Sequence, residues 1–456
     1  MLRRPVDVVI VGGGASGVLG AARILDATHA GAARVTIVEP SARLGAGVAY
    51  GTDDPDHLLN VRAGGMTCDP SRPADFADWL GARGLGDPVT FAPRRLYRTY
   101  LQEHLATAAD RAPDGALEVV HDTVWGVGRG PAGVDVALGS GRRIRADRVV
   151  VAIGNSRPTA PEALEALAGC PAWVPDPWAP GALEGITDGE VVLIGTGLTT
   201  VDIAITLGRQ GDAAMTALSR TGLLPRRHVV DQPMRPVPDV VDLGRDGRDV
   251  AGLAERLRVR AATEDWRDLI DAVRPYANAL WRRFDDTQRE VFLSDLAREW
   301  DVHRHRMSPP TAERFDHLLA TGRLSTHAGR VRRAEPVGDR VDMELELDGE
   351  VRSVAATAVI NCTGPGRAWV PPANPLVADL FARGLARPDP HGLGLVTSEA
   401  GELVDAAGRV VPELLVIGPP RRGTLFETTA VPELRSQALH IADAIVVGGP
   451  GGAGDR

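Results

Sequence analysis

Lysine is absent from this 456-residue chain, so all 51 of its strongly basic residues are arginine. That excludes a Schiff base to a carbonyl, an aldehyde-cofactor anchor and the phosphate-binding lysine of a P-loop. Any phosphate or carboxylate clamp must use guanidinium, whose planar fork suits the task. Cysteine is scarce: Cys68, Cys170 and Cys362 are the three present, with no C-x-x-C pair. This argues for a reducing compartment and against a disulfide framework, a dithiol relay or a zinc site, so no metal is expected. Long apolar runs are missing too. The run Val6–Val11 follows two arginines as in a signal peptide, but it is short, contains Asp7 and enters a glycine loop. No stretch reaches the ~20 apolar residues needed to span a bilayer. The cytoplasm is the expected compartment, with no membrane partner. Excess positive charge is also lacking: the net charge is -9, so no nucleic-acid partner is expected.

What remains is an ordinary globular composition, 44% apolar and 24% charged, in a chain long enough for two or three domains. The β-branched run from Asp7 to Val11 predicts a central parallel strand. Gly12-Gly13-Gly14 breaks it, Ala15 to Ala27 has helical spacing, and Arg34–Val38 is a second strand ending at Glu39. Residues 43–66 form a long glycine-rich loop, the kind that is functional inside a compact domain. Helical patterns over 73–83 and 94–109 precede short strands at 117–121, 123–128, 133–138 and 142–145, then a buried strand closing in Gly154. The proline-rich stretch 156–188 reads as a connection between domains. A second β-loop-α-β unit begins at Glu190, with Gly195-Thr196-Gly197 as its turn and a strand ending at Ser219-Arg220. A helical insertion follows, with Trp266, Trp281 and Trp300 as core or pocket aromatics. Short strands return at 324–328, 341–347 and 350–353, and a closing strand leads into Gly364.

A glycine turn, a meander and a closing strand with glycine thus occur twice, as VVVAIGN (149–155) and AVINCTGP (358–365) show for the closing strands. The fold class is therefore α/β, with two Rossmann-type dinucleotide-binding domains, for FAD and NAD(P)H, and a mainly helical insertion. The expected boundaries are 1–160 for the first part of the FAD domain and 185–355 for the NAD(P)H domain, with its insertion at about 248–322. The C-terminal part of the FAD domain takes 356–445, and 446–456 form a disordered tail.

The first motif is Gly12-x-Gly14-x-x-Gly17. Gly12 permits the tight turn, Gly14 lets backbone approach a pyrophosphate, and Gly17 lets helix and strand pack closely. The helix N-terminus offers unpaired N–H groups to the diphosphate, and Glu39 is placed to accept ribose hydroxyls. The second motif keeps Gly195 and Gly197 but has Thr200 in the third position, with Thr199 beside it. Its strand ends in Ser219 and Arg220 rather than an acid, and arginine there suits a 2′-phosphate. The expected cofactors are FAD at the first site and NADPH, or NADH, at the second. With no dithiol to receive electrons, dioxygen is the remaining common acceptor. The run Trp300–Pro309 places His303, Arg304, His305 and Arg306 together. They read either as an anion clamp for substrate or as a solvated helix end.

VVIVGGGASGVLGAARIL, LGAGVAYGTDDPDHLLNVRAGGM, VVLIGTGLTTVDIAITL, WDVHRHRMSPP, VINCTGP and ETTAVPELRSQA occur in this order. Together they resemble the bacterial FAD/NAD(P)-binding proteins that include nitrosuccinate-forming L-aspartate N-monooxygenases and an FAD-dependent urate hydroxylase. That group is broadly similar to class B flavin monooxygenases. The resemblance covers nearly the whole chain. It implies that Tyr50, Asn60 and Val61 lie along the flavin and that Gly418, Glu427 and Thr428 close its site. It also implies that Arg304 and Arg306 stand close to substrate; with Asn60 they are the candidate catalytic residues. Val124, Gly154 and Gly364 complete the candidate cofactor set, and Arg62 joins the histidines and arginines of the cluster as a candidate substrate residue. The expected activity is NAD(P)H-dependent flavin monooxygenation, N-hydroxylating a small polar or anionic amine such as an amino acid, with that substrate and O₂ as partners. Ring hydroxylation of a purine-like substrate, a flavin reductase or oxidase, and a non-catalytic flavin-binding protein remain as alternatives. Oligomeric state is not legible.

Overall fold

A computed structural model describes residues 4–27, 32–130, 133–229, 249–366, 369 and 373–447. The chain forms two compact units: Met1–Asp53, Val61–Ser156 and Arg367–Arg456 in the first, Asp54–Asn60 and Arg157–Gly366 in the second.

The first unit begins with β1 (Val6–Val11), α1 (Ala15–Ala27) and β2 (Ala33–Val38). It continues through α2 (Asp75–Gly81), α3 (Arg94–Arg111) and β3 (Leu117–Val120). Next come β4 (Val124–Gly130), β5 (Gly133–Leu138) and β6 (Arg143–Ala146), a separate antiparallel sheet, and then β7 (Arg148–Val151). β1 lies between β2 and β7, parallel to both. A strand enclosed on both faces needs an almost unbroken apolar sequence, and Val8, Val9 and Ile10 are each at most 1% exposed. Gly12 leaves the strand at φ +104°, and a Cβ there would lie 2.5 Å from the Ala152 carbonyl oxygen.

The second unit holds β8 (Trp173–Val174), β9 (Glu190–Ile194), α4 (Leu198–Gln210) and β10 (Ala214–Ser219). Its insertion comprises α5 (Val250–Ala261), α6 (Trp266–Val273), α7 (Ala277–Arg283), α8 (Asp286–Val291), α9 (Ala297–Arg304) and α10 (Pro309–Ala320). Then follow β11 (Leu324–Val337), β12 (Arg340–Leu347), β13 (Glu350–Ala356) and β14 (Ala358–Asn361). Among the described residues the sheet order is β13-β12-β11-β10-β9-β14-β8. Alternate β9 residues face two cores: Val191 and Leu193 pack with Ile203 and Phe315, Val192 and Ile194 with Leu164 and Val341.

Three sequence expectations change here. The stretch 156–188 is not merely a connection: Leu164, Leu167 and Trp173 are buried in the second unit's core. The strand expected to end at residue 328 runs on to Val337, parallel to β10 for five residues and then antiparallel to β12. Gly329 stands at that change, where a Cβ would lie 1.9 Å from the Glu346 carbonyl oxygen. The exposed outer half of β11 carries little apolar signal, which is why its length is hidden in the sequence. Finally, residues 54–60 belong with the second unit although the chain on both sides belongs to the first.

The first unit resumes with α11 (Pro375–Ala382), β15 (Glu402–Val404), β16 (Val410–Val416) and α12 (Val431–Val447). Its main sheet then reads β15-β16-β7-β1-β2-β3 among the described residues. Helix α12 enters the first residues of the expected tail; residues 448–456 lie outside the described residues, as does residue 248 at the insertion's expected start. No helix among the described residues is long and apolar enough to cross a membrane.

In both sheets the strand before the glycine turn, β1 or β9, has the next strand of the chain on one side (β2 or β10) and a later strand on the other (β7 or β14). Each glycine turn therefore lies at a topological switch point, beyond a strand's carboxyl end, where α/β sheets hold ligands. The third motif position separates the two turns. A Cβ on Gly17 would lie 1.9 Å from the Gly12 carbonyl oxygen, whereas Thr200 is fully buried and its hydroxyl donates to the Gly195 carbonyl at 2.7 Å. Gly17→Ala should destabilise the protein by about 1–3 kcal/mol, because backbone must move. Thr200→Ser, which keeps the hydroxyl and loses one methyl, should cost about 0.8 kcal/mol or less. Urea unfolding of the two variants checks this; a Gly17→Ala protein as stable as the parent would contradict it.

Candidate functional site

The β1–α1 turn is prepared for a dinucleotide by its own backbone. Gly13 N–H donates to Glu39 Oε2 at 2.7 Å and Ser41 N–H to Oε1 at 2.9 Å, so the carboxylate at the end of β2 is held at the glycine turn. The long loop starts against the same turn: Gly45 N–H donates to the Gly13 carbonyl at 2.7 Å. A Cβ on Gly14 would reach the Gly47 Cα at 3.5 Å. Bare backbone, a helix N-terminus and an oriented acid form a cradle whose donor set fits a ribose-pyrophosphate.

The C-terminal segment returns to this turn. Gly418, at φ +82°, faces the first turn of α1, where a Cβ would lie 2.5 Å from Ser16 Oγ. Its N–H donates to Gln437 Oε1 at 2.9 Å, and its carbonyl accepts the Thr428 hydroxyl at 3.0 Å. Gln437 Nε2 closes the ring by donating to Thr428 Oγ1 at 2.8 Å. Glu427, 5% exposed, stands beside Thr428. Gln437 was not singled out from the sequence; its signal is an amide on the apolar side of the last helix, next to Leu434, Ala438 and Ile441. Arg421, another residue not foreseen, is 1% exposed and donates to the Ser398 and Glu399 carbonyls, and burial pulls its guanidinium down to about 10.

Tyr50 packs its ring 4.8 Å from that of Tyr97, and its carbonyl accepts Arg98 Nη1 at 3.0 Å. Val61 and Arg62 lead into a 3-10 turn, Ala63–Gly65, with the Arg62 guanidinium 6.0 Å from the Phe91 ring centre. Val124 opens β4 with its side chain 3% exposed in the first unit's core, so only its backbone is available to a cofactor. Gly154 and Gly364 repeat one another: each follows a closing strand at φ +72° and +80°, and a Cβ on either would meet nothing within 4 Å.

The segment Asp54–Asn60 is clipped to α4. Asp54 Oδ2 accepts the Thr206 hydroxyl and Arg209 Nη2, each at 2.7 Å, and Asp56 pairs with Arg209 and Arg314. His57, 3% exposed, places Nε2 at 2.9 Å from Thr206 Oγ1. The Thr206 hydrogen is already given to Asp54, so His57 Nε2 is the donor. Burial pushes the Asp54 carboxyl up, but the Asp56 N–H, the Thr206 hydroxyl, His57 and Arg209 together hold it below its ordinary value. Asn60 ends the segment with its carbonyl 3.0 Å from His228 Nε2, and His228 N–H donates to the Met307 carbonyl at 3.0 Å. One histidine thus ties the backbone of Asn60 to the residue after Arg306.

At the second turn, Gly195 is at φ +123°, where a Cβ would lie 2.4 Å from the Cys362 carbonyl oxygen. Gly197 caps α4 and Thr199 lies in its first turn. Thr196 donates to the Leu223 carbonyl at 2.7 Å and accepts the Ser219 hydroxyl at 2.7 Å. Arg220 is exposed and has no hydrogen-bond or ion-pair partner among the described residues. The structure adds Arg298, whose Nη2 donates to the Thr196 carbonyl at 3.1 Å and to the Leu223 carbonyl.

The basic cluster does not act as one patch. Arg306 is 4% exposed. It donates to both Asp271 oxygens, at 2.9 and 3.1 Å, and to the His303 carbonyl at 2.8 Å, with its guanidinium over the Trp266 ring. The clamp role expected of Arg306 is corrected by this pairing: its charge is already answered by Asp271. His303 lies against Trp266 with Nδ1 at 2.8 Å from the Glu299 carbonyl, and His305 is 3.9 Å from Asp301. Arg304, half-buried, ends α9. The three cysteines are free thiols, and burial pushes Cys68 and Cys362 up to about 12, so neither supplies a thiolate near neutrality.

Residues 9–156 match the model of a family described as FAD-NAD(P)-binding. No curated protein matches the chain in sequence. Among solved structures, the chain is similar to L-lysine 6-monooxygenase from Pseudomonas syringae at 17% identity and a TM-score of 0.67, over 96% of this chain and 99% of that one. It is also similar to an ornithine N-hydroxylase from Kutzneria sp. 744, whose structure holds reduced FAD, NADP+ and L-ornithine, at 16% identity and a TM-score of 0.65, over 97% and 99%. Thioredoxin reductase from Lactococcus lactis matches at 11% identity and a TM-score of 0.52, over 97% and 99%. At these identities the likeness is one of fold. Residues 9–156 are thus a FAD-NAD(P)-binding segment in an α/β chain whose fold is similar to that of L-lysine 6-monooxygenase and of thioredoxin reductase.

Proposed function

We propose that this chain is an NAD(P)H-dependent flavin monooxygenase that N-hydroxylates a small polar or anionic amine. The observation that carries this reading is the pair of glycine turns at two switch points in a chain whose three cysteines are free and form no C-x-x-C pair, so that no dithiol–disulfide couple is available to receive electrons. Among the folds it resembles, that combination favours the N-hydroxylases over the disulfide reductases. When bound, FAD and NADPH supply hydride transfer and oxygen chemistry.

The protein's own part is to bind, orient and exclude water. In the first unit, Gly12, Gly14, Gly17 and the α1 N-terminus receive the FAD pyrophosphate. Glu39, held by the Gly13 N–H, keeps acceptor capacity for the ribose. Tyr50, Val61, Gly418, Glu427 and Thr428, with the backbone of Val124 and Gly154, line the remainder of that site; Asn60 is a flavin residue on the ground of the sequence resemblance alone. In the second unit, Gly195, Gly197 and Thr199 receive the coenzyme pyrophosphate, and Gly364 leaves room beside the turn. Ser219 and Arg220 take the 2′-phosphate. Arg62, His303, Arg304 and His305 remain the substrate candidates, with Arg304 as the cation for a substrate carboxylate. Arg306 becomes a positioning residue that fixes this segment through Asp271. An amino acid is the substrate class that best uses an arginine beside a reacting amine. This is also what similarity to the aspartate N-monooxygenases would give, with urate hydroxylation as the alternative on the same cofactors.

The deciding experiment follows NADPH oxidation with amino acids, diamines and urate while counting peroxide and hydroxylated product together. A hydroxylamine formed in step with NADPH is the expected outcome. Peroxide alone with every amine, or product from urate only, would contradict N-hydroxylation. Arg220→Ala should weaken NADPH use roughly tenfold to a hundredfold, the worth of one charge-assisted phosphate contact, and leave NADH use unchanged; equal losses would remove Arg220 from the 2′-phosphate. Arg306→Met should lower stability by about 1–3 kcal/mol, less than a fully buried pair because Asp271 is partly exposed. Substrate KM in the folded fraction should stay the same. An unchanged melting temperature with a raised KM would return Arg306 to the substrate.

A further inference from the structure

Several of the insertion's arginines are answered by acids. Arg258 pairs with Glu299, Arg260 with Glu264 and Arg306 with Asp271. Arg298 is different. It stands in the first turn of α9 and reaches the second glycine turn, where Nη2 donates to the Thr196 carbonyl and Thr196 Oγ1, both at 3.1 Å, and to the Leu223 carbonyl. Its Nη1 lies 4.0 Å from the position a Cβ would take on Gly197, the cap of α4. Among the described residues it has no carboxylate in an ion pair; Asp301, one turn along, is the acid that acts on it from a distance, and burial holds its guanidinium below the ordinary value. A half-buried cation whose contacts are neutral oxygens is under-compensated, and an anion at the turn would complete it.

We propose that Arg298 binds the pyrophosphate of the nicotinamide coenzyme, so that the helical insertion itself supplies a phosphate ligand to the second site. The inference rests on the reading of Gly195–Thr200 as the nicotinamide-nucleotide turn. Glycine turn, helix N-terminus and guanidinium converge on one place: Gly197 offers bare backbone, α4 its unpaired N–H groups, and Arg298 the full charge that no lysine is present to give. Arg220, at the end of β10, is left to the 2′-phosphate, and the two arginines divide the coenzyme between them.

The division is testable with three probes on the FAD-loaded protein: NADP+, NAD+ and adenosine 2′-monophosphate, which lacks the pyrophosphate. Arg298→Met should weaken NADP+ and NAD+ by the same factor, about tenfold or more, and leave adenosine 2′-monophosphate unchanged. Arg220→Ala should show the reverse pattern, losing NADP+ and adenosine 2′-monophosphate and sparing NAD+. Arg298→Lys keeps the charge without the fork; it should weaken both dinucleotides several-fold, and it carries the test should the methionine variant fail to fold. An Arg298 loss confined to NADP+, an equal loss of all three probes, or no loss at unchanged melting temperature would each overturn the assignment. If the unaltered protein binds none of the three, the nucleotide reading of the second turn falls first, and this inference falls with it.

Discussion

The carbonyl oxygen of Gly12 stands where a side chain at position 17 would begin, 1.9 Å from an ideal Cβ. Much else in the first unit follows from that contact. Helix α1 can start beside the end of β1 only because Gly17 has no Cβ. That start aims the helix N-terminus past the carboxyl end of a strand enclosed on both sides, which is what makes the turn an anion site. Glu39, the loop that opens at Gly45, and Gly418 from the far end of the chain all gather on this turn. The second turn solves the same problem by another route. It admits a side chain at the third position and uses it: the Thr200 hydroxyl satisfies the Gly195 carbonyl. Helix and strand still meet closely, with a hydrogen bond where the first unit has a bare contact.

The two units also differ in how their antiparallel strands are attached. In the first, β4-β5-β6 form a sheet of their own; in the second, β11 carries the parallel sheet directly into the hairpin of β12 and β13. Gly329 makes this continuity possible by letting β11 change partner without a side chain against Glu346. The insertion between β10 and β11 is likewise tied to its unit by specific polar contacts. Within it the pair Arg306–Asp271 joins α6 to the segment after α9, while Arg298 reaches the glycine turn and backbone bonds join Arg226 and His228 to Val302 and Met307.

Much of this was legible from residue spacing. The glycine turns, the closing strands at Gly154 and Gly364, and the long loop follow from patterns that close packing enforces: apolar runs where two faces are buried, glycine where backbones touch. Gly418 and Thr428 were implied by resemblance alone; the structure sets Gly418 against Ser16 of α1 and bonds the Thr428 hydroxyl to the Gly418 carbonyl. What the sequence hides are relations that depend on distant partners. Arg306 reads as a free cation until Asp271, thirty-five residues earlier, is seen beside it. His57 and Asp54 carry no signal of their own within the long loop; their role shows only when Thr206 and Arg209 of α4 are placed against them. Arg298 carries no motif at all; its meaning lies in where α9 puts it.

The central claim is that one chain binds a flavin at its first turn and reduces it with a nicotinamide nucleotide held at its second. Anaerobic mixing of the FAD-loaded protein with one equivalent of NADPH tests this most directly, with flavin absorbance followed before and after admitting air. The account predicts that the visible flavin band is bleached by NADPH without any added dithiol and returns when oxygen enters. A protein that holds no flavin, or a bound flavin that neither NADPH nor NADH can reduce, would contradict it.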